Sequence, residues 1–441
     1  YDFTVGETLQ TDDLYDSSLS LTNITECIID AEITDSGSGT LQVSNDGGSN
    51  WITVTDTSQV VTFATSGIDL VMKYTAGGTG YIEHMGVLYN PDTIFAPATE
   101  VVLPTENVII NGNLDIWQRG TSFTFPAVPG GYVADRWLWY STVAKGTITQ
   151  STDVPTFAQS KCQSNYSLKV DITTADVAIA AADYSLLQYK VVGYDMLPLY
   201  GNYLTISFWV KSTITGVYSV GLGNSAGTRS FAGTYTVSSA DTWEKKTITL
   251  IMDDADTYTW LKTNGIGLKV TFWLASGTDY HTAADDTWES ASTGASSNQV
   301  NGVSNTANNF LISQVKLEKG SVATPFNSRP FGEELALCQR YYQRFTDTSL
   351  SVGVGLTSTT VRCAFGFPVT MRAAPTGTSS GSYRISINGS YTMQLNQFAA
   401  TPDRGYLHLD TPAGFTPVIG QAYMIDMGVA GVDYLEISAE L

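Results

Sequence analysis

NVIINGNLDIWQRGTSF at residues 107–123 and LEKGSVATPFNSRPFGEELALCQRYYQRF at residues 317–345 enclose the middle half of the chain and indicate how it folds. The first stretch is soon followed by ADRWLWY at residues 134–140. Between the two stretches lie several segments of alternating polarity, which Gly, Asn and Ser turns separate. Such a series is typical of two packed antiparallel sheets, so we predict a large sandwich over residues 107–332.

Two segments show the alternation most clearly. YLTISFWVKS at residues 203–212 places on one face Leu204, Ile206, Phe208 and Val210. LKVTFWLAS at residues 268–276 places on one face Leu268, Val270, Phe272 and Leu274. Because successive side chains of a strand point to opposite faces, these residues are predicted core, and Trp209 and Trp273 point away from it.

The flanking regions also have β patterns. Residues 1–98 are predicted to form a small β-sandwich, since alternating segments flank the Asn-Asp-Gly-Gly turn at residues 45–48. The proline-containing segment 99–106 is predicted to be a linker. Residues 333–348 are predicted to be a connecting helix, and residues 349–441 a C-terminal β domain. The predicted fold class is therefore all-β, with several stacked antiparallel sandwiches and one short helix between the second and third.

The connecting helix has a distinctive sequence, EELALCQRYYQRF. Two acidic residues in its first turn suit the helix dipole, and Leu337, Tyr341 and Phe345 recur at intervals of four. A helix of about three turns is marginal in water unless it packs against something. Three apolar residues that fall outside the stripe are predicted to meet other subunits, namely Leu335, Cys338 and Tyr342.

These segments resemble a jelly-roll domain that recurs in phage tail fibres and related receptor-binding proteins. The resemblance rests on WQRG at 117–120, DRW at 135–137, CQRYYQ at 338–343 and FPVTMRAAP at 367–375. It covers the chain from its second quarter to its end. It implies a carbohydrate-binding-like jelly roll followed by a fibre-tip domain, in a structural and adhesive virion protein that is a homotrimer.

The same resemblance implies the partners and location. They are other phage tail or baseplate proteins and a glycan or protein of the bacterial surface, with the chain made in the host cytoplasm and placed in the tail fibre. Since the sequence begins at Tyr1, we expect a preceding segment that would serve attachment. Two alternatives stay open: a carbohydrate-binding module of a secreted bacterial enzyme or adhesin, and a polysaccharide-degrading tail spike.

Charge excludes several classes of partner. Only 15% of residues are charged, against about 25% in average proteins. The net charge is −20, from 42 acidic and 22 basic residues, and the sequence has no extended Lys/Arg run. Nucleic acids and anionic membrane surfaces need basic patches, so we expect neither partner. No segment is long and apolar enough for membrane insertion.

The sequence lacks the signs of catalysis. Its three histidines, His84, His281 and His408, fall in three separate regions, and the common nucleophile, metal and phosphate motifs are absent. Adjacent acidic pairs such as Asp253-Asp254 point to opposite faces of a strand and make no acid–base couple. We therefore expect no enzymatic activity and no catalytic residue.

Candidate binding residues come from the outward faces of the strands. Trp209, Trp273 and Lys211 are predicted to contact ligand, because indole rings on a polar face can stack against sugars. This requires that the two tryptophan strands share a sheet. A structural role is predicted for five motif residues, Trp117, Arg119, Asp135, Arg136 and Trp137, because an Asp–Arg pair beside tryptophans fixes the first strands of a sandwich.

Cysteines and acidic residues bear on cofactors. Cys27, Cys162, Cys338 and Cys363 are too sparse for a disulfide framework, which predicts free thiols and leaves a Cys338–Cys363 bridge open. No cofactor is expected. Structural calcium, held by some of the carboxylates, stays an open alternative.

Overall fold

The computed structural model describes residues 2–3, 8–10, 24–46, 48–55, 60–67, 70–89, 106–124, 130–143, 145–255, 257–346, 349–380, 383–386, 390–427 and 433–441. The chain divides into two compact units, Tyr1–Val102 and Leu103–Leu441. Apart from residue 106, the predicted linker 99–106 lies outside the described residues. The all-β prediction is confirmed, since antiparallel strands dominate both units.

The first unit consists of two four-stranded sheets, β1-β8-β3-β6 and β2-β7-β4-β5. Strands β4 and β5, on either side of the Asn-Asp-Gly-Gly sequence, pair antiparallel as the sequence predicts, with Leu41 opposite Val54. Leu41, Val43 and Met72 are among the residues buried between strands. The strands are β1 Asp2–Phe3, β2 Thr8–Gln10, β3 Ile24–Asp35, β4 Thr40–Ser44, β5 Ile52–Val54, β6 Val60–Gly67, β7 Val71–Thr75 and β8 Gly80–Tyr89.

The second unit begins with a large sandwich. Its strands are β9 Ser122–Thr124, β10 Gly131–Tyr132, β11 Trp137–Ser141, β12 Lys145–Ser151, β13 Ser167–Thr174, β14 Tyr184–Val192, β15 Tyr203–Ser212, β16 Gly216–Gly223, β17 Ser230–Val237, β18 Glu244–Ile251, β19 Ile266–Ser276, β20 Trp288–Glu289 and β21 Asn309–Lys319. One sheet has seven strands in the order β10-β11-β14-β19-β16-β17-β20, and the other has six in the order β18-β15-β21-β13-β12-β9.

The core of the sandwich lies between these two sheets. All eight residues that the alternation of residues 203–212 and 268–276 predicts as core are buried there. Phe208 of β15 packs edge-on against Phe272 of β19, with ring centroids 5.0 Å apart. Two single-turn helices, α1 Phe157–Ser160 and α2 Gly193–Met196, and two short 3₁₀ turns, Leu197–Leu199 and Thr278–Tyr280, lie in the connections.

The predicted connecting helix 333–348 is only partly helical. Helix α3 spans Phe331–Gln339, and strand β22 spans Tyr342–Phe345. The strand forms because Tyr342 and the residues after it pair antiparallel with a later strand, Tyr342 lying opposite Ser438. Two adjacent tyrosines suit a half-buried strand better than a helix interior. The prediction is therefore wrong for the second half of the segment.

The C-terminal part of the second unit contains a β-barrel. The strands of this C-terminal region are β23 Ser349–Gly355, β24 Thr360–Gly366, β25 Thr376–Ser380, β26 Tyr383–Ser386, β27 Ser390–Thr401, β28 Arg404–Asp410, β29 Ala422–Met427 and β30 Tyr434–Ser438. Six of them close in the order β23-β24-β28-β27-β26-β29, while β22, β30 and β25 form a three-stranded sheet beside them. Residues from both parts, including Val361, Ile425 and Ile437, share one core.

The predicted subunit-interface residues are mostly buried within the chain. Cys338 belongs to the core of the sandwich, and Tyr342 lies under the guanidinium of Arg119, whose carbon is 3.5 Å from the ring centroid. Leu335 is half-buried and packs against the same core. Cys338 and Tyr342 are therefore unavailable to another subunit, and this part of the prediction is wrong.

The thiols of Cys162, Cys338 and Cys363 are free, so the Cys338–Cys363 bridge does not form. The side chain of Cys27 lies outside the described residues. Among the described residues, no helix is long and apolar enough to cross a membrane.

Candidate ligand-binding cavity on the seven-stranded sheet

Trp209 and Trp273 do not share a face. Trp209 lies on β15 of the six-stranded sheet, whereas Trp273 lies on β19 of the seven-stranded sheet. Both point away from the core between the sheets, as the alternation predicts, and therefore in opposite directions. The predicted common platform is wrong, because alternation along a strand does not reveal which sheet the strand joins.

The surroundings of Trp209 are closed. Its indole is only 9% exposed and packs with Trp243 and Leu311. Lys211, two residues further along β15, forms an ion pair with Asp153 at 2.7 Å. The indole nitrogen of Trp243 donates to the other oxygen of Asp153 at 2.9 Å. Neither Trp209 nor Lys211 lines any of the three cavities described below.

Trp273 lies beside a cavity of about 450 Å³ on the outer face of the seven-stranded sheet. This volume is within the roughly 300–1,000 Å³ that is typical of small-ligand sites. The floor consists of outward-facing side chains from neighbouring strands. From β14 come Leu186, Gln188 and Lys190, and from β19 come Lys269 and Thr271.

Aromatic rings form one wall of the cavity. Trp273 packs against Tyr280 at 5.5 Å between ring centroids, and Tyr184 meets Tyr280 edge-on at 5.3 Å. Tyr140 of β11 extends this wall. Trp273 is 6% exposed, while the three tyrosines are half-buried. The tyrosine rings therefore offer the aromatic faces that a ligand can reach, and Trp273 supports them.

Residues 277–299, which we call the covering loop, carry Tyr280 and also supply Ser292, Thr293 and Gly294 to the lining. The backbone nitrogen of Ser296 donates to Ser219 Oγ of β16 at 2.9 Å, and that of Thr293 donates to Ser230 Oγ of β17 at 3.1 Å. Gly294 lies so close to Trp273 that an added Cβ would be 3.2 Å from the indole nitrogen. Glycine at this position thus lets the loop pack tightly over the tryptophan.

Polar groups on the floor supply hydrogen bonds. Gln188 Nε2 donates to Thr271 Oγ1 at 3.2 Å, which orients both side chains across β14 and β19. Asn224 lies at the end of β16 and accepts at Oδ1 from the backbone nitrogen of Thr228 at 2.9 Å. Side chains that neighbours hold in place lose little entropy when they bind a ligand.

Three cations line the cavity, namely Lys190, Lys269 and Arg229. Burial lowers the pKa of Lys269, and burial together with the charge of Lys269 lowers the pKa of Lys190. Arg229 forms an ion pair with Asp253 at 2.7 Å. The sequence did not suggest these residues or the tyrosines as site residues. The one sequence feature that could have indicated this site is the alternation of polar Gln188 and Lys190 with apolar residues in β14.

The motif residues form a separate structural network. Trp137 is buried in the sandwich core and donates its indole N–H to Asn111 O at 3.1 Å, and Trp117 donates to Leu114 O at 2.7 Å. Both tryptophans therefore hold the segment that precedes the first strands.

Arg119, Asp135 and Arg136 tie the sandwich to residues that follow the last strand. Arg119 lies 3.3 Å from Asp135 and 3.1 Å from Glu440, and Arg136 pairs with the second oxygen of Glu440. Burial raises the pKa of Asp135 to about 6, although Arg119 and the hydrogen bond from the Gln118 backbone oppose this shift. All these groups are well buried, so the network joins the sandwich to the barrel.

Two further cavities lie elsewhere in the second unit. One of about 430 Å³ lies beside α3, and one of about 160 Å³ lies among the asparagines of residues 107–113. The first has a single aromatic residue in its lining, Tyr194, and the second is lined by Tyr166, Phe326 and Phe331 together with five asparagines. Within the described residues, no group of three or more His, Cys, Asp or Glu side chains is arranged to hold a metal ion.

Comparisons with known proteins identify similar structures only. No family model matches the chain, and no curated protein matches it. The enzymatically active domain of tailspike protein 4 from bacteriophage CBA120 is 13% identical, with a TM-score of 0.26, over 48% of this chain and 21% of that one. The chain thus spans about a fifth of that domain.

Two carbohydrate-binding modules are also similar. TmCBM61, solved in complex with β-1,4-galactotriose, is 11% identical over 49% of this chain and 100% of its own, with a TM-score of 0.25. The family 11 module from Clostridium thermocellum, in complex with a β-1,3-1,4-mixed-linked tetrasaccharide, is 13% identical over 46% and 98%, with a TM-score of 0.24. At such TM-scores, no inference about this chain rests on the likeness.

Proposed function

We propose that this chain is a non-enzymatic, adhesive protein of a phage tail fibre, and that it binds a glycan of the bacterial surface in the cavity beside Trp273. The observation that carries the proposal is the combination of half-buried tyrosines on one wall with hydrogen-bonding side chains on the floor. Sugars offer apolar C–H faces to aromatic rings and hydroxyl groups to polar side chains, so both features suit them.

The test is binding of purified chain to host surface polysaccharide, measured by isothermal titration calorimetry. Tyr184→Ala should weaken binding by about tenfold, because losing one stacking ring removes about 1 kcal/mol or more. Tyr203→Ala is the matched control, because Tyr203 is 53% exposed on the other sheet and lines no cavity described above. Equal binding by both variants would place the ligand elsewhere.

Assembly as a homotrimer belongs to the proposal. Shallow sites gain strength when several copies bind one surface, because each later contact is intramolecular. An exposed apolar patch on the barrel supports contact between copies of the chain. We define it by Val352, Val354, Leu356, Val418, Ile419 and Met424, which are 44–72% exposed. It replaces the interface predicted at Leu335, Cys338 and Tyr342.

The patch is continuous. Val352 of β23 lies directly opposite Met424 of β29, and the connection before β29 bridges Gly355 at Ile419. No member carries a charge, so copies of a chain of net charge −20 can meet here without opposing like charges. A contiguous exposed apolar surface is typical of an interaction site.

Location in the virion and absence of catalysis are tested separately. Electron microscopy of virions with antibody against the chain should label tail fibres, where other tail or baseplate proteins would hold it. A secreted module or adhesin would give no labelled virions.

Incubation with host polysaccharide should release no reducing ends, without added cofactor or calcium. Release that one Asp or Glu substitution abolishes would favour the polysaccharide-degrading spike.

A further inference from the structure

We infer that the ligand of the cavity is an acidic sugar, whose anionic group lies between Lys190 and Lys269. This inference rests on the proposed function and names its ligand class. A carboxylate and a sulfate would both supply the negative charge, and the experiment below separates them.

The positions of the two lysines carry the inference. Lys190 and Lys269 are directly opposite each other in the antiparallel pairing of β14 with β19. Residues paired in this way share a face of the sheet, with Cβ atoms about 5 Å apart, and like charges there destabilise the sheet. An anion between the two ammonium groups removes this repulsion and replaces it with attraction.

Among the described residues, neither lysine forms an ion pair with an Asp or Glu side chain. Lys190 Nζ donates to Leu441 O at 2.6 Å, and Lys269 Nζ donates to Ser225 O at 3.1 Å. An ammonium group has three donors, so each lysine keeps donors for a ligand. Burial lowers the pKa of both groups, which shows that water compensates their charge only in part.

The other charges near the cavity are already engaged. Glu440 is the acidic group that acts on Lys190, and its oxygens pair with Arg119 and Arg136. Arg229 pairs with Asp253, which is not part of the lining. The residues of the lining thus include three cations and no carboxylate.

This excess of positive charge opposes the composition of the chain. Acidic residues outnumber basic residues by 42 to 22, so a random patch would carry about two carboxylates for each cation. The negative charge of the whole chain repels an acidic glycan at long range. Specific binding therefore needs a local site of positive charge, and the floor of the cavity provides one beside the tyrosines.

The experiment uses matched pairs of polysaccharides. Polygalacturonate and hyaluronan are compared with their carboxyl-reduced forms, and heparin with its desulfated form, by calorimetry on the full chain. We expect binding to at least one acidic member and about tenfold weaker binding to its neutral partner. Whether carboxylate or sulfate pairs show the difference identifies the anionic group.

Variants locate the effect. Lys269→Gln should weaken binding of the acidic member by about tenfold and leave its neutral partner unaffected, whereas Lys269→Arg should restore binding. Lys245→Gln is the matched control, because Lys245 is exposed on β18 of the other sheet. Thermal unfolding of each variant shows whether the fold is retained.

The outcomes distinguish the two proposals. Equal binding of acidic and neutral partners, or acidic binding that Lys269→Gln leaves unchanged, overturns the inference and leaves glycan binding in the cavity standing. Absence of binding to every member of the panel overturns the inference, whereas the proposed function is contradicted only if the chain also fails to bind host surface polysaccharide.

Discussion

The same dipeptide, Phe-Trp, occupies two environments in the sandwich. Phe208 and Phe272 meet across the core, and the tryptophan after each one points outward from its own sheet. Trp209 packs with Trp243 and Leu311, whereas Trp273 borders the cavity and packs on Tyr280. Trp209 therefore has a structural role only, whereas Trp273 also helps to form the cavity.

Alanine substitution should distinguish these roles. Trp209→Ala and Trp273→Ala are each expected to lower the free energy of unfolding by about 3–5 kcal/mol, because both remove a large buried ring. Only Trp273→Ala should also weaken glycan binding, since it removes the support of the tyrosine wall. Denaturant unfolding and calorimetry measure the two effects. A binding loss in Trp209→Ala, at temperatures where it stays folded, would contradict this assignment.

Asp135 makes stability depend on pH. Its pKa in the folded chain is about 6, compared with 3.8 for an ordinary aspartate. Between these values, the folded chain holds a proton that the unfolded chain has lost, so the contribution of Asp135 to stability falls as pH rises. About two pKa units correspond to roughly 3 kcal/mol.

Asp135→Asn tests this sign. The asparagine has no proton to lose, so the difference in unfolding free energy, wild type minus variant, should fall between about pH 4 and pH 6. Chemical denaturation at several pH values measures it. A difference that rises over the same interval would mean that Arg119 lowers the pKa of Asp135 more than burial raises it.

At residue scale, the sequence predicts which face of a strand a side chain occupies, but not which strands lie next to each other. The predicted core residues of β15 and β19 are confirmed, because alternation of polar and apolar residues depends only on neighbours in the same strand. The cavity could not be predicted, since its floor joins β14 to β19 across about eighty residues and its wall comes from the covering loop. Alternation likewise could not assign Trp209 and Trp273 to different sheets.

At the scale of elements, residues 331–345 show why local patterns fail. Leu337, Tyr341 and Phe345 recur as in a helix, yet α3 ends at Gln339. Tyr342 instead starts a strand that pairs with β30, which lies more than ninety residues further along the chain. The pairing also positions Glu440, just after β30, against Arg119 and Arg136. A distant partner therefore decides the structure of this segment.

Removing Glu440 should test this connection between sandwich and barrel. Arg136 is 1% exposed, and Glu440→Ala would leave its charge buried with no carboxylate beside it. We expect a loss of about 3–5 kcal/mol in unfolding free energy. Glu333→Ala is the control, because Glu333 is exposed in the first turn of α3, and it should cost about 1 kcal/mol or less.

Urea unfolding, monitored by near-ultraviolet circular dichroism, measures the unfolding free energy of both variants. Arg136→Met provides a second variant, since it removes the charge and keeps the volume, and it should be tolerated better than Glu440→Ala. Equal stability of Glu440→Ala and Glu333→Ala would mean that the buried pair contributes little to the connection.

At the scale of the whole molecule, most of the surface disfavours contact between copies. A net charge of −20 makes chains repel one another, and only a surface without carboxylates allows close approach. The apolar patch on β23 and β29 meets this requirement. The sequence did not reveal it, because Val352 and Met424 become neighbours only when the barrel closes.

Light scattering after size-exclusion chromatography tests assembly through this patch. The wild-type chain should show three times the monomer mass of 47.5 kDa. Val352→Asp should shift the mass towards the monomer, because assembly would bury an unpaired carboxylate at a cost of several kcal/mol. Val177→Asp is the matched control, since Val177 is 80% exposed in the sandwich and outside the patch, and it should leave the mass unchanged.

A barrel strand with an outward-facing aspartate keeps its core, so the Val352→Asp variant should unfold at nearly the wild-type temperature. A wild-type monomer at micromolar concentration, or a Val352→Asp variant that stays trimeric, would mean that the patch meets a different partner.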